Sequence, residues 1–255
     1  MAGLKINTFQ GIGVSMSIKT NPFNRGSIWR QWDLHIHTPA SFHWTGQRFD
    51  PDPSSASNIA LVDEMIVTLN SAKPAVFALM DYWTFDGWFA LKRRLSESGA
   101  PKLTKTVFPG IELRLAAPTT CRLNAHVLFS DEIEDQVLHD FKSALQLEIV
   151  SRPLSDSSLI ELARSVGEDK LRHHGFAKID VDKDNNLALR AGSTIAEINC
   201  ESYKLAIEKV PLGKAIGFMP YDTSDGLSEV KWQSHYAYFL GLFKSSPIFE
   251  SRNLD

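Results

Sequence analysis

From Trp32 onward, short apolar runs alternate with amphipathic stretches, and this alternation limits the fold more than any other feature of the chain. Trp32–His37 reads as a strand. Ser55–Asn70 reads as a helix, with Ile59, Val62, Ile66 and Leu69 at helical spacing, and Pro74–Met80 as a buried strand. Phe85–Ser96 reads as a helix ending near Gly99-Ala100-Pro101. Thr106–Ile111 and Asn124–Phe129 read as strands, and Asp131–Leu147 as a helix that opens with acidic residues, as the helix dipole favours. Such alternation predicts an α/β fold of parallel strands and crossover helices, either a barrel or an open sheet.

The pattern changes across 151–210. Ser155–Gly167 reads as a helix with Asp156 and Ser157 as caps, and Thr194–Lys209 as another, while His173–Gly192 is polar with little periodicity. Lys214–Met219 returns to strand character and Glu229–Phe243 to helix. The expected organisation is a flexible leader over 1–27 and one domain over 28–255, carrying a largely helical insertion at 151–210. Ser245–Asp255 shows no helix cap or terminating element and reads as a chain cut inside a fold.

The chain has 255 residues, 43% of them apolar, which suits one large α/β domain or two small ones. A formal charge of −3 gives no long-range pull on nucleic acid, so a polyanion would have to be held by a local patch. Cys121 and Cys200 make neither a disulfide framework nor a CxxC pattern, so a reducing, cytoplasmic location is expected. No apolar run has the length to span a bilayer, and Gly11–Ile18 is too polar for a signal-peptide core. No GxxxxGK[ST] occurs, which excludes ATP hydrolysis by a P-loop within this sequence.

Chemistry gathers at the strand ends. His35 and His37 sit two apart in one strand, so both imidazoles project from the same face, an arrangement suited to a metal. His43 follows in the next loop, Asp81 follows the second strand, Glu112 follows the third, and His126 lies near the start of the fourth. In α/β folds the ligand site lies at the carboxyl ends of the strands. Several strands each bringing a ligand-type residue to one edge is a far stronger signal than any single histidine.

These pieces resemble the PHP (polymerase and histidinol phosphatase) superfamily: Asp33-Leu34-His35-Ile36-His37-Thr38, His43, Leu79-Met80-Asp81, Gly110-Ile111-Glu112 and Ala125-His126-Val127. The run Arg25–Ser41 and the run Asp81–Gly87 are similar to the PHP region of TrlF-like proteins, in which such a domain is joined to an SMC-like or AAA-like ATPase. The resemblance implies a distorted (β/α)7 TIM-like barrel, here incomplete at its C-terminus. It also implies one to three divalent metals (Zn, Mn or Fe) and hydrolysis of phosphodiester bonds in nucleic acid or nucleotides, with no membrane partner. It assigns His35 and His37 to a first metal, Glu112 to the bridge, His126 to a second metal and His43 to a third. Glu112 and Asp81 become the catalytic candidates, and Arg114 and Tyr82 the substrate-binding ones. Three departures follow from the family pattern. Tyr82 stands for a third-site histidine, Met219 for a second-site histidine, and the closing Asp-x-His motif does not occur before Asp255, leaving Asp222 or Asp225 as substitutes. The same residues would also fit a module that keeps the fold for regulation or assembly.

Other polar residues have plainer readings. His139 fits a solvated helix, His173-His174 a helix C-terminus, His235 aromatic packing, Lys92-Arg93-Arg94 a solvated face, and Asp180–Asn186 a polar hairpin.

Overall fold

The computed structural model describes residues 30–118, 122–221, 226–227 and 232–250. Its strands and helices belong to one compact unit, residues 31–255. The leader over 1–27, Cys121, Asp222 and Asp225 lie outside the described residues.

Six strands lie side by side in chain order: β1 (Trp32–Ile36), β2 (Val76–Tyr82), β3 (Thr106–Leu115), β4 (Leu123–Phe129), β5 (Ala215–Pro220) and β6 (Ile248–Glu250). The sheet curls into half a barrel, and among the described residues no seventh strand closes it. α1 (Ala56–Ser71) and α2 (Asp86–Ser96) are the crossovers that leave β1, β2 and β3 parallel. The parallel expectation fails at β4, which is antiparallel to both β3 and β5. The stretch 116–122 is far shorter than the dozen or more residues that a parallel crossover needs, so the chain can only turn back.

The two faces of the sheet differ. Phe77, Leu79, Ile111, Leu113, Ala125 and Val127 join the main core beneath the helices. On the inner face Ala78, Met80 and Phe218 form a small separate cluster with Leu34, Phe108 and Leu128. This cluster is the floor of the half-barrel. Gly110 belongs to it by necessity, because a Cβ there would lie 2.7 Å from Met80 Cε. A register irregularity in β1 between Asp33 and Ile36 lets Leu34 join the floor while His35 and His37 still reach the inner rim.

The region 151–210 is more completely helical than its sequence suggests. It forms α4 (Asp156–Ser165), α5 (Glu168–His173), α6 (Lys178–Lys183), α7 (Asn185–Ile195) and α8 (Cys200–Glu208), following α3 (Asp135–Ala144). The stretch read as a polar hairpin is the end of α6 and the cap of α7: the Asp184 carboxylate accepts from the backbone N–H groups of Asn186 and Leu187. Its buried face is mostly small residues, Ala188, Ala191, Gly192 and Ser193, together with Ile195. A Cβ on Gly192 would lie 2.0 Å from the Leu159 carbonyl oxygen, so α7 and α4 pack backbone against backbone. The single helix expected over Thr194–Lys209 is broken at 196–199, where Asn199 caps α8. Ser155, rather than Asp156 or Ser157, caps α4. α9 (Trp232–Ser245) joins β5 to β6. Arg94, read as part of a solvated face, is buried and grips Asp63 with two hydrogen bonds of 2.7 and 3.0 Å.

Candidate metal centre

The antiparallel turn at β4 places Glu112 and His126 directly opposite each other. Cross-strand partners share a face of the sheet, so a residue near the start of β4 meets one near the end of β3. The Glu112 carboxylate, 2% exposed, is the hub. Its Oε2 lies 3.0 Å from His35 Nε2 and 3.5 Å from His37 Nε2. Its Oε1 lies 3.4 Å from His126 Nε2 and accepts a 2.8 Å hydrogen bond from Asn124 Nδ2. One carboxylate thus faces two imidazoles with one oxygen and a third imidazole with the other. The His35 ring lies 5.2 Å from that of His37 and 4.6 Å from that of His126, centre to centre.

The electrostatics favour ligand-type protonation states. Burial, with the neighbouring imidazoles His35, His43 and His126, outweighs the pull of Glu112 and lowers His37 to a pKa of about 4. His37 is therefore neutral at pH 7, with a lone pair to offer. Burial raises the Glu112 carboxyl, but hydrogen bonds and charge from His126 and His35 outweigh it and hold the group well below the usual carboxylate range. His35, His37 and Glu112 each offer one ligand atom, and these lie within 4.8 Å of one another. The Nδ1 of His37 is buried with no hydrogen-bond partner among the described residues, a polar atom that this packing alone does not explain. Imidazole nitrogens around an ionised carboxylate form the donor set of a transition-metal site, so the residues fit a divalent cation.

The other predicted residues take different places. His43 is exposed at the rim, its ring 6.0 Å from that of His37, and its Nε2 lies 3.5 Å from Arg114 Nη2. Tyr82 stacks on His37 at 5.6 Å, and its hydroxyl accepts a 3.0 Å hydrogen bond from Asn124. Arg114, two residues beyond Glu112 on the same face, lies 4.8 Å above the Tyr82 ring and 5.5 Å from that of Phe42. Its guanidinium donates to the carbonyls of Ser193 and Thr194 in the last turn of α7, where the helix dipole favours a cation. Trp83, in the left-handed region at φ 67°, also donates to the Ser193 carbonyl, so the end of β2 is tied to the same helix end. Met219 shares the outer face with Gly217 and is fully buried there; Phe218 is the residue that packs against the His126 ring, 4.8 Å away.

Asp81 does not join the cluster. Its side chain leaves the opposite face of β2, 1% exposed, and accepts from both the backbone N–H and the hydroxyl of Thr38, each at 2.7 Å. It therefore pins the turn that follows His37 and leads to His43. Burial pushes its carboxyl up to about 7, against the lowering effect of the Thr38 hydrogen bonds. Gly87 completes this clamp: a Cβ there would lie 2.2 Å from Thr38 Oγ1 and 2.3 Å from Asp81 Oδ2.

Sequence reasoning passed over Asn124 and Phe42. Asn124 had one available signal, its i, i+2 spacing to His126 on the same strand face. His173 and His174 do end α5, and His139 stacks on Phe89 at 4.7 Å.

No protein-family profile matches the sequence, and no curated protein matches it. Two of the solved structures that are similar in fold can be named. One is an amidohydrolase from Chromobacterium violaceum with bound sulfate and no metal, 13% identical, covering 86% of this chain and 75% of that one at a TM-score of 0.41. The other is a candidate metal-dependent phosphoesterase from Bifidobacterium adolescentis, 10% identical, covering 86% and 76% at a TM-score of 0.44. At that similarity the functional reading falls to the residues themselves. Among the described residues no helix is long and apolar enough to cross a membrane.

Proposed function

We propose that this chain is a metal-dependent phosphoesterase of the PHP type, acting on phosphodiester bonds of nucleic acid or nucleotides. The observation that carries the reading is the division of the Glu112 carboxylate between His35 and His37 on one oxygen and His126 on the other. His35, His37 and Glu112 would hold one divalent ion, and Glu112 with His126 would contribute to a second. Imidazole and carboxylate donors suit Zn²⁺, Mn²⁺ or Fe²⁺. When bound, such ions supply Lewis acidity toward the phosphoryl oxygens and a nucleophile at neutral pH.

The chain's own residues supply the rest. Arg114, fixed by the α7 carbonyls, presents positive charge beside the centre and suits a phosphate oxygen. Tyr82 and Asn124 hold the Glu112 side chain and narrow the approach over His37. Asp81 works as a positioning residue through Thr38, on the far side of the strand from the reacting groups. The effector role beside an SMC-like or AAA-like ATPase, in the same or a partner chain, rests on the resemblance of Arg25–Ser41 and Asp81–Gly87 to TrlF-like proteins.

The test is hydrolysis of bis(p-nitrophenyl) phosphate and of an oligonucleotide by protein loaded with Mn²⁺, Zn²⁺ or Fe²⁺, compared with Glu112→Gln. Turnover lost in the variant supports the proposal, and turnover retained overturns it. A second reading is a module that keeps the fold without catalysis. Tyr82 at a histidine position favours it, because its ring fills the space over His37. That reading predicts neither bound transition metal nor cleavage.

A further inference from the structure

A cleft of about 980 Å³ opens beside the centre, between the loop after β1 and the end of β2 on one side and the helical region on the other. The range of small-ligand pockets reaches about this size. Arg48, Arg114, Arg122 and Arg190 all line it, together with His43 and His174. Their bonding differs. Arg114 is committed to the Ser193 and Thr194 carbonyls, and Arg48 to the Phe42 carbonyl. Among the described residues Arg122 meets only a neutral partner, the His174 Nδ1 at 3.1 Å. The Arg190 guanidinium has neither a hydrogen bond nor an ion pair among the described residues. Asp86 and Asp156 also line the cleft, yet neither pairs with these arginines among the described residues. The crowding of positive charge is felt: burial first, then Arg114 for His43 and Arg122 for His174, keeps both imidazoles below their ordinary value. Like charges that no acid pairs work against the fold unless an anion joins them.

We propose that Arg122 and Arg190 form a distal anion subsite. It would bind a second phosphate of the substrate while the phosphodiester being cleaved lies against Arg114 and the Glu112 centre. The proposal rests on the phosphoesterase reading above and deepens it: the favoured substrate carries at least two phosphates. Arg190 comes from α7, so the helical region would set specificity for a centre built on the sheet. Guanidinium groups suit the role because they stay charged and bind phosphate with two parallel hydrogen bonds.

The experiment compares the Mn²⁺-loaded protein on the dinucleotide dApdA and on its 5′- and 3′-phosphorylated forms. The expected result is a KM about tenfold lower for one phosphorylated form, as one charge-assisted contact supplies. In Arg122→Gln and Arg190→Gln the ratio of the two KM values should fall toward one. Both side chains are exposed, so the substitutions spare the core. Equal KM values in the wild type, or a ratio unchanged in both variants, would overturn the subsite while leaving the phosphoesterase reading intact. If none of the dinucleotides is cleaved, the phosphoesterase reading fails, and calorimetric binding of the same dinucleotides decides the subsite separately. Tighter binding of a phosphorylated form, lost in both variants, supports it; equal binding overturns it.

Discussion

The inner rim of the sheet and the helical region 151–210 spend their buried positions differently. The rim buries Glu112, Arg114, Asn124 and His126 almost completely, whereas the buried polar residues of the helical region are serines, Ser158, Ser193 and Ser202. Burying charged groups costs stability unless each is paired or ligated. The helical region follows ordinary packing rules, with Leu159, Leu162, Leu171, Val181 and Ile195 closed around small residues. The rim breaks those rules, and polar side chains that break them in one cluster mark where chemistry is placed. On the proposed function the contrast would also divide the labour: the sheet would carry the reacting groups, and the α7 end, through Ser193 and Thr194, holds Arg114 beside them.

The division can be broken most sharply at the hub. Glu112→Gln should lower turnover on bis(p-nitrophenyl) phosphate by about a thousandfold or more, comparable to losing one preorganised electrostatic contact. Its melting temperature should stay close to wild type, because a buried charge is removed at the same time. Activity assays beside thermal melts check both halves of that expectation. In the helical region the pattern should invert. Leu162→Ala empties a fully buried position on α4 and should cost about 2–5 kcal/mol in denaturant unfolding, while kcat per folded molecule holds.

Asp81 sharpens the comparison through pH. Its folded pKa of about 7 lies above its ordinary value, so the folded state favours the protonated carboxyl. The stability this group contributes is complete below the unfolded pKa and is lost as pH rises toward 7 and beyond. Asp81→Asn removes the titration and can still accept the Thr38 N–H. Its melting temperature relative to wild type should therefore climb between pH 4.5 and pH 8, by an amount worth about 3 kcal/mol. A difference that stays flat across that range would show that Asp81 is not a buried, titrating clamp. The smallest expected effect is local: Ser155→Ala deletes the cap that accepts from the Ser158 N–H and should cost about 1 kcal/mol with no change in turnover.

The sequence disclosed the rim better than the helices, for physical reasons. A strand end bearing His35 and His37, or Glu112 just past an apolar run, is a local pattern with a period of two, and such patterns survive folding. The place of His126 depended on strand direction, and the clue was the short stretch 116–122, which forces β4 to run backward beside β3. α7 was missed although Asp184 had the chemistry of a cap; its buried face is mostly small residues, Ala188, Ala191, Gly192 and Ser193, with Ile195 the one large apolar side chain. Arg94 looked solvated because its partner Asp63 lies on another helix, and no local pattern reports a tertiary ion pair. The separation of Asp81 from Glu112 is a matter of strand parity, since Tyr82 and Asp81 leave opposite faces of β2 and only Tyr82 sits over the centre.

The most direct test is a crystal structure of the protein soaked with Zn²⁺ or Mn²⁺, with anomalous differences recorded at the metal edge. The account predicts a peak about 2.0–2.2 Å from the Nε2 atoms of His35 and His37 and from Glu112 Oε2, lost in Glu112→Gln. Density that instead leaves these three residues without an ion at saturating metal would contradict it.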